Sequence, residues 1–124
     1  MIEPVTENDC LFCKIVAGAI PSPKLYEDES FICIRDIRPQ AKTHLLVLPK
    51  KHVSSLEEAF PKNGHAQTQL VGQLFEVGTR VAREQGLLPG GFRSVINTGH
   101  DGGQTVFHIH LHLLGGTALG DDFG

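Results

Sequence analysis

The sequence lacks any apolar run of the roughly 18 to 20 residues that a membrane-spanning helix needs, so no membrane partner is expected. Charge of one sign is also scarce. The formal net charge is -3, and without a basic field over the surface nucleic acid is not expected as the main partner. Residues 1–7 lack the basic start and the apolar stretch of a signal peptide, which predicts a cytoplasmic protein.

Cysteine is scarce as well, and it occurs only at Cys10, Cys13 and Cys33. An odd number of cysteines in a chain without a secretion signal argues against a disulfide framework. Reduced thiols are therefore expected, and the close spacing of the first two raises the question of a metal site.

The 124 residues suffice for one hydrophobic core, so we expect a single domain over residues 1–124. Residues 1–8 are expected to be a flexible N-terminus, and residues 117–124 a variable C-terminal tail. Apolar patterns and turn signals predict strands over 24–27, 31–36, 43–48, 92–97 and 104–114, a short helix over 11–17 and a long helix over 66–85. This order of elements predicts an α+β fold, in which the long helix covers an antiparallel sheet of about five strands.

Three histidines alternate with apolar residues in the segment His108-Ile109-His110-Leu111-His112. Alternate residues of a strand point to opposite faces, so the three imidazoles are expected to form one ridge, with successive rings about 6 to 7 Å apart. Such a cluster is unusual, because histidine is not a strong strand former and crowded imidazoles disfavour protonation of one another. The ridge is therefore predicted to be functional rather than structural.

Two chemistries fit a histidine ridge. Imidazole nitrogens bind metal ions, and a neutral imidazole can attack phosphorus and form a phosphoramidate. The segment Gly102-Gly103-Gln104-Thr105 leads directly into the ridge. Its glycines allow backbone N–H groups to approach a phosphate, and Gln104 and Thr105 add side-chain donors. Nucleophilic chemistry at phosphorus is therefore favoured, and metal-dependent hydrolysis by the three histidines stays the alternative.

The histidine segment, continued by Leu113 and Leu114, resembles the signature of the histidine triad (HIT) superfamily, His-x-His-x-His followed by two apolar residues. The resemblance covers nearly the whole chain and is closest to the nucleotide-binding branch, which hydrolyses nucleoside phosphoramidates. Further matching segments are Ile20-Pro21, Asp36-Ile37-Arg38-Pro39-Gln40-Ala41, Thr43-His44, Pro49-Lys50-Lys51-His52 and Asn97. The resemblance implies a HIT-like fold and a homodimer joined through the long helix and a strand.

The resemblance also implies a role for each matching position, without a cofactor required for catalysis. His110 would be the nucleophile that takes the nucleoside monophosphate. His112 would contact the phosphate and help to move a proton to the leaving group. His108 would orient the site through hydrogen bonds, and His44 would support the triad. The implied nucleotide-binding residues are Asn97, Gly103, Gln104 and Thr105 for the phosphate, and Asp36, Ile37, Ile34 and Ile20 for the ribose and the purine base.

Cys10 and Cys13, together with His52 and His108, offer two sulfurs and two nitrogens for a tetrahedral zinc ion. Several bacterial triad proteins and the related uridylyltransferases carry zinc at matching positions, whereas the similar animal members lack the cysteine pair. Such a zinc ion would be structural, since it leaves His110 free. The alternative is a pair of small apolar residues on a short buried helix. A thioredoxin-like role is not expected, because the pair does not follow a strand in a βαβ pattern.

Together these features predict a hydrolase of purine nucleoside phosphoramidates that works through a nucleotidyl-histidine intermediate on His110. Three other functions remain open: a dinucleoside polyphosphate hydrolase, a metal-dependent hydrolase that uses the three histidines as ligands, and a nucleotide-binding interaction protein. A transferase of the uridylyltransferase type is disfavoured, because that branch carries glutamine where this chain has His112.

Overall fold

The computed structural model describes residues 9–121. The expected flexible N-terminus, residues 1–8, and the last three residues of the tail, 122–124, lie outside the described residues. The elements in chain order are α1 (Leu11–Val16), β1 (Lys24–Glu27), β2 (Phe31–Arg35), β3 (Thr43–Pro49), α2 (Leu56–Ala59), α3 (Thr68–Glu84), β4 (Phe92–Val95) and β5 (Leu111–Gly115). Between residues 9 and 121, no helix has the length and apolar character that crossing a bilayer takes.

The strands form one sheet in the order β1-β2-β3-β5-β4, and each neighbouring pair is antiparallel. The first two strands are joined by a tight turn, in which the N–H of Asp28 donates to the carbonyl of Phe31 over 3.0 Å. This architecture confirms the predicted α+β class, with a five-stranded antiparallel sheet, one long helix and a short N-terminal helix.

The central strand β3 separates two hydrophobic clusters. Its apolar run is buried on both faces, as a strand inside a covered sheet requires. Leu45 and Val47 point into the cluster formed with α3, whereas Leu46 and Leu48 point into the cluster formed with α1. His110 lies on the face of the sheet that α1 covers, since the ring of Phe12 in α1 lies 5.0 Å from the ring of His110.

Helix α3 lies against the opposite side of the sheet. Its buried residues are Leu74, Val77, Gly78, Val81 and Ala82, and their spacing is that of one helical face. Gly78 allows a close approach to β5, since a Cβ there would lie 2.8 Å from Cδ2 of Leu111. The helix ends before Gly86, whose positive φ of 76° suits a glycine that follows a helix.

The last strand begins at Leu111 and not at residue 104 as predicted. Pairing with β3 stops at Val47 and Leu111. Beyond this pair Pro49 has no N–H to donate, and its carbonyl oxygen lies 2.7 Å from Nε2 of His108. The ring of His108 thus uses the carbonyl group of Pro49, which a longer pairing of β3 with β5 would need as an acceptor. Residues 104–110 consequently form a bent segment outside the sheet.

Two further strands are shorter than predicted. β2 ends at Arg35 and β4 at Val95. Asp36 and Asn97 therefore lie in the loops that follow these strands and not in the sheet itself.

Candidate functional site

The three histidines of the sequence motif do not form a single ridge along a strand. Only His112 lies in β5, while His108 and His110 belong to the bent segment before it. The rings of His110 and His112 are 4.9 Å apart, closer than the expected spacing, because the bend turns them toward each other. The ring of His108 lies instead 5.2 Å from the ring of His52. The motif is therefore divided between two neighbouring side-chain clusters.

His110 is buried, and its ring is held by the backbone of His108. Its Nδ1 lies 2.7 Å from the carbonyl oxygen of His108, and a carbonyl only accepts, so Nδ1 carries the hydrogen. Burial lowers the pKa of His110, while the hydrogen bond with His108 and the charge of Asp36 act in the opposite direction. A neutral ring with hydrogen on Nδ1 leaves a lone pair on Nε2. That arrangement is the one a nucleophilic imidazole needs.

The second ring of this cluster, His112, contacts His44. Nε2 of His44 lies 2.9 Å from Nδ1 of His112 and 3.4 Å from Oδ2 of Asp36. Burial lowers the pKa of His112 to about 4, and the neighbouring rings of His110 and His44 add to this effect. We name these four residues, Asp36, His44, His110 and His112, the imidazole cluster.

Asp36, His44 and His112 also offer three ligand atoms within 4.8 Å of one another, but they are not arranged as a metal site. A histidine that binds a metal through one nitrogen donates the N–H of the other. In His44 that other nitrogen, Nδ1, instead accepts the backbone N–H of Gln40 over 3.0 Å. The three side chains therefore form a hydrogen-bonded chain.

The glycine-bearing loop before the histidines is tied together by two amide side chains. Asn97 donates from Nδ2 to the carbonyl of Gly102 over 2.8 Å. Gln104 accepts the N–H of Gly99 over 2.9 Å and donates from Nε2 to the carbonyls of Ser54 and Val106. The side chain of Gln104 is thus an anchor of the loop, which differs from the expectation of a free donor. Thr105 is exposed to solvent.

The apolar residues implied for the base lie in different surroundings. Ile34 is buried in the hydrophobic cluster formed with α1, and the partly buried Ile20 packs against that cluster. Ile37 is 92% exposed, so it offers an open apolar surface next to Asp36. The carboxylate of Asp36 accepts the backbone N–H of Arg38 on Oδ1, which leaves Oδ2 facing His44.

Cys10, Cys13, His52 and His108 form the second cluster, which we name the Cys2His2 cluster. Their four ligand atoms lie within 4.8 Å of one another. Nδ1 of His108 is 3.4 Å from both sulfurs, and Nδ1 of His52 is 3.1 Å from Sγ of Cys13.

These separations, 3.1 to 3.4 Å, are close to those around a tetrahedral zinc ion. With bonds of about 2.3 Å to sulfur and about 2.0 Å to nitrogen, neighbouring ligand atoms around zinc lie about 3.3 to 3.8 Å apart. His108 is also in the correct protonation state. Its Nε2 faces the carbonyl of Pro49, so Nε2 carries the hydrogen and the lone pair of Nδ1 faces the sulfurs. Burial lowers the pKa of His108 to about 4, which keeps the ring neutral for a metal.

Three contributions to the site were missed by sequence reasoning. The backbone N–H of Gln40 and the carbonyl of Pro49 each contact a histidine ring, and Phe12 packs its edge against His110. A backbone group carries no signal in a sequence. Phe12 lies between the two cysteines, and that position was the one available signal.

Comparisons with known proteins show what the chain as a whole is similar to. A family model described as scavenger mRNA decapping enzyme C-terminal binding matches residues 9–120. The purine nucleoside phosphoramidase of Escherichia coli (strain K12) is 37% identical over 113 residues, which are 91% of this chain and 92% of that relative.

Two solved structures are similar over nearly their whole length. A HIT family hydrolase from Legionella pneumophila Philadelphia 1 is 42% identical with a TM-score of 0.83, and the match covers 90% of this chain and 96% of that chain. A histidine triad protein from Clostridium difficile is 40% identical with a TM-score of 0.85, and the match covers 98% of this chain and 100% of that chain.

Proposed function

Because this chain belongs to the histidine triad family of hydrolases, we propose that it hydrolyses purine nucleoside phosphoramidates of the adenosine 5′-monophosphoramidate type. The observation that carries the proposal is the state of His110. Its Nδ1–H donates to the carbonyl of His108. Burial lowers the pKa of the ring, so Nε2 carries no hydrogen at neutral pH and its lone pair is available. A relative 37% identical is a purine nucleoside phosphoramidase, which supports the substrate class.

The reaction proceeds in two displacements at phosphorus. Nε2 of His110 attacks the phosphorus, the bond between phosphorus and the substrate nitrogen breaks, and the leaving amine takes up one proton. Water then attacks the phosphorus of the nucleotidyl-histidine, and the bond to Nε2 breaks. The products are an amine and a nucleoside monophosphate, and His110 returns to its neutral form.

The surrounding residues bind the nucleotide. His112 contacts the phosphate beside His110, and His44 supports His112 through the contact of 2.9 Å. Asp36 binds the ribose hydroxyls through its carboxylate. The phosphate is bound at Gly103 and Thr105 of the loop, whose shape the side chains of Asn97 and Gln104 hold. The purine base is bound by Ile20, Ile34 and Ile37. Positioning of this kind is the main source of rate enhancement at phosphorus.

The Cys2His2 cluster holds a structural zinc ion in this proposal. Bound zinc would cross-link α1, through Cys10 and Cys13, to His52 after β3 and to His108 before β5. It supplies folding free energy and no chemical step. Catalysis therefore needs no cofactor, since His110 is not among the ligands.

We also propose that two copies of the chain form a homodimer through α3 and the edge strand β4. The outer face of α3 exposes Phe75, whose side chain is 42% exposed, and β4 pairs with β5 on one side only. An exposed apolar residue next to an open strand edge favours association. Light scattering coupled to size exclusion measures the mass, and a monomer at micromolar concentration would contradict the proposal.

A turnover comparison tests the proposed activity. Wild-type protein and His110→Ala are assayed on adenosine 5′-monophosphoramidate and on a diadenosine polyphosphate. We expect faster turnover of the phosphoramidate by the wild-type protein and none by His110→Ala. Comparable rates on the polyphosphate would favour a dinucleoside polyphosphate hydrolase. Binding of AMP without turnover of either substrate would favour a nucleotide-binding interaction protein. Loss of activity in chelator without loss of folding would favour a metal-dependent hydrolase.

A further inference from the structure

The two thiols of the Cys2His2 cluster are placed so that they can form a bond with each other. Cys10 precedes the first residue of α1, and its Sγ accepts the backbone N–H of Cys13 over 3.2 Å. Their sulfur atoms lie within 4.8 Å of one another, as residues three apart at a helix surface are neighbours. Formation of an S–S bond of about 2.0 Å therefore requires a movement of the two side chains and no change of fold.

The two cysteines differ in their exposure to solvent. Cys10 is 1% exposed, whereas Cys13 is partly exposed. A small oxidant such as hydrogen peroxide can therefore reach Cys13, and Cys10 lies next to it as the second sulfur, which is the arrangement of redox-sensing cysteines. A thiol of another protein cannot reach the buried Cys10, so exchange of the thioredoxin type stays unexpected.

We propose that Cys10 and Cys13 are an oxidation site, at which a peroxide forms an intrachain disulfide, and that this disulfide slows the hydrolase by displacing the ring of His108. The second half of this proposal rests on the proposed function. The disulfide itself depends only on the two sulfurs and on the oxidant.

The oxidation balances with hydrogen peroxide as the co-reactant. Sγ of Cys13 attacks one peroxide oxygen, the O–O bond breaks, and the leaving hydroxide takes the thiol proton to give water and a sulfenic acid. Sγ of Cys10 then attacks the sulfur of the sulfenic acid, the S–S bond forms and the S–O bond breaks. The second hydroxide takes the proton of the Cys10 thiol. Two thiols are oxidised and the peroxide is reduced to two waters.

The disulfide removes the partner of a buried ring nitrogen. His108 is 0% exposed, and its Nε2–H donates to the carbonyl of Pro49, so the lone pair of Nδ1 faces the two sulfurs at 3.4 Å. A thiol donates its S–H to this lone pair, and a zinc ion held by thiolates accepts it. A disulfide has no hydrogen to donate, and the metal ligand is the thiolate. Because a buried acceptor without a partner is costly, we expect the ring of His108 to move.

The movement reaches the nucleophile along two contacts. The carbonyl of His108 accepts the Nδ1–H of His110 over 2.7 Å. Phe12 lies between the two cysteines in the chain, and its ring centre is 5.0 Å from that of His110 and 6.0 Å from that of His108. Both contacts change position with the disulfide, and a misplacement of about 1 Å at a reacting group can slow a reaction by about 10²-fold.

Peptide mass spectrometry tests the oxidation itself, independently of any activity. Zinc-free wild-type protein is treated with hydrogen peroxide, and we expect a peptide with Cys10 joined to Cys13, lighter by two hydrogen atoms. Cys33 is the internal control, because it is fully buried in the cluster beneath α3 and should stay a thiol. Oxidation of Cys13 to a sulfinic acid without the disulfide, or a disulfide that includes Cys33, would overturn the proposal.

Release of zinc gives a second readout of the same event. Zinc-loaded protein is treated with peroxide in the presence of a coloured zinc indicator. We expect one zinc ion to be released for each disulfide formed, and a thiol reductant with added zinc to restore the loaded protein. Zinc that stays bound to fully oxidised protein would contradict the loss of the ligands.

Nitrogen-15 NMR tests whether the disulfide reaches the histidines. Reduced zinc-free protein keeps the thiols beside His108, so the change of interest is the one between reduced and oxidised zinc-free protein. We expect the signals of His108 and His110 to shift on oxidation and to return on reduction. Unchanged signals of both rings in fully oxidised protein would overturn the second half of the proposal.

Single-turnover kinetics with adenosine 5′-monophosphoramidate measure the effect on the reaction. We expect oxidised wild-type protein to be slower than reduced protein by up to about 10²-fold, with full recovery after reduction. Reduced zinc-free protein should keep the rate of zinc-loaded protein, which separates the disulfide from the loss of metal. An equal rate before and after complete oxidation would overturn the regulation.

Two cysteine variants complete the test, and each is compared with itself before and after peroxide. Cys13→Ser cannot form the disulfide and should keep its rate, whereas Cys33→Ser should slow as the wild-type protein does. Slowing of Cys13→Ser by peroxide would assign the effect to another residue. If the wild-type protein turns over no phosphoramidate, the proposed function fails, while the mass, zinc and NMR results still decide whether the disulfide forms and moves His108.

Discussion

The carbonyl oxygen of His108 lies 2.7 Å from Nδ1 of His110, so the backbone of His108 determines which ring nitrogen of His110 carries the hydrogen. The ring of His108 meanwhile belongs to the Cys2His2 cluster through Nδ1. One residue thus connects the two clusters, with its side chain in one and its carbonyl group in the other. A change at the Cys2His2 cluster that moves the backbone of His108 should reach the nucleophile.

The pH dependence of hydrolysis should reflect the protonation of the His110 ring. Its pKa is lowered by burial, so the neutral ring persists below the ordinary imidazole value of about 6.5. We expect kcat/KM for the phosphoramidate to fall on the acid side with a midpoint below that value, as the Nε2 lone pair is lost. The measurement is a profile of kcat/KM between pH 4 and pH 8. An acid midpoint above pH 7 would contradict the assignment.

Stability should fall in the same range of pH because of His112 and His108. Burial lowers the pKa of both rings to about 4 in the folded protein, whereas the unfolded chain protonates near the ordinary value of about 6.5. Between these values the unfolded state binds more protons, so the free energy of unfolding decreases as the pH is lowered.

Thermal unfolding of zinc-free protein at pH 7, 6, 5 and 4 measures this dependence. His112→Gln removes one of the two groups and should reduce the dependence of Tm on pH. The carboxylates contribute equally to both proteins, so the difference between them isolates His112. Identical slopes for the two proteins would contradict a depressed pKa of this ring.

Zinc binding should depend on Cys13 and not on Cys33. Cys13 lies 3.1 Å from the ring of His52, whereas Cys33 is fully buried in the cluster beneath α3, and burial raises the pKa of its thiol to about 12. We expect one zinc ion per chain in the wild-type protein and in Cys33→Ser, and a large loss of zinc in Cys13→Ser.

Elemental analysis after purification with zinc gives the stoichiometry. A Tm that falls in Cys13→Ser and in chelator-treated wild-type protein would accompany the loss of metal, since binding energy is folding energy at such sites. Wild-type protein without zinc, or Cys13→Ser with full zinc, would contradict the site.

Gly102 should be required for the shape of the phosphate loop. A Cβ at this position would lie 2.4 Å from the carbonyl oxygen of Thr98, a backbone atom that cannot move alone. Gly102→Ala is expected to displace the loop, to cost about 1–3 kcal/mol of stability as other overpacked sites do, and to weaken AMP binding. Gly90→Ala is the control, because its nearest atom would be 3.8 Å away. Calorimetric titration with AMP compares the variants, and equal affinities would remove the loop from the binding site.

Much of the fold follows from local pattern. The apolar patterns and turn signals of β1 and β2 and the apolar run of β3 predict a sheet with a buried centre, and helical spacing predicts α3, because these signals come from residues close in sequence. The segment 104–110 shows the limit of such reasoning. Its alternation continues that of β5, but pairing stops where Pro49 lacks an N–H and gives its carbonyl to His108. Only the register between two distant strands reveals this.

Parts of both clusters could also be predicted from the sequence, because their side chains belong to short motifs. His-x-His-x-His and Cys-x-x-Cys are side-chain patterns with a known chemistry, and the structure brings Cys10 and Cys13 together with His52 and His108. The tautomer of each ring was not predictable. It depends on backbone groups of Gln40, Pro49 and His108. Nearly every residue has such groups, so the sequence does not show which of them will contact a histidine ring.

His110 should carry the nucleotide during turnover. The most direct measurement is a single-turnover reaction with adenosine 5′-monophosphoramidate, quenched rapidly and analysed by peptide mass spectrometry. We expect an adduct with the mass of an adenylyl group on His110, which forms and decays at rates consistent with turnover and is absent in His110→Ala. Hydrolysis by wild-type protein without such an adduct, or full hydrolysis by His110→Ala, would contradict it.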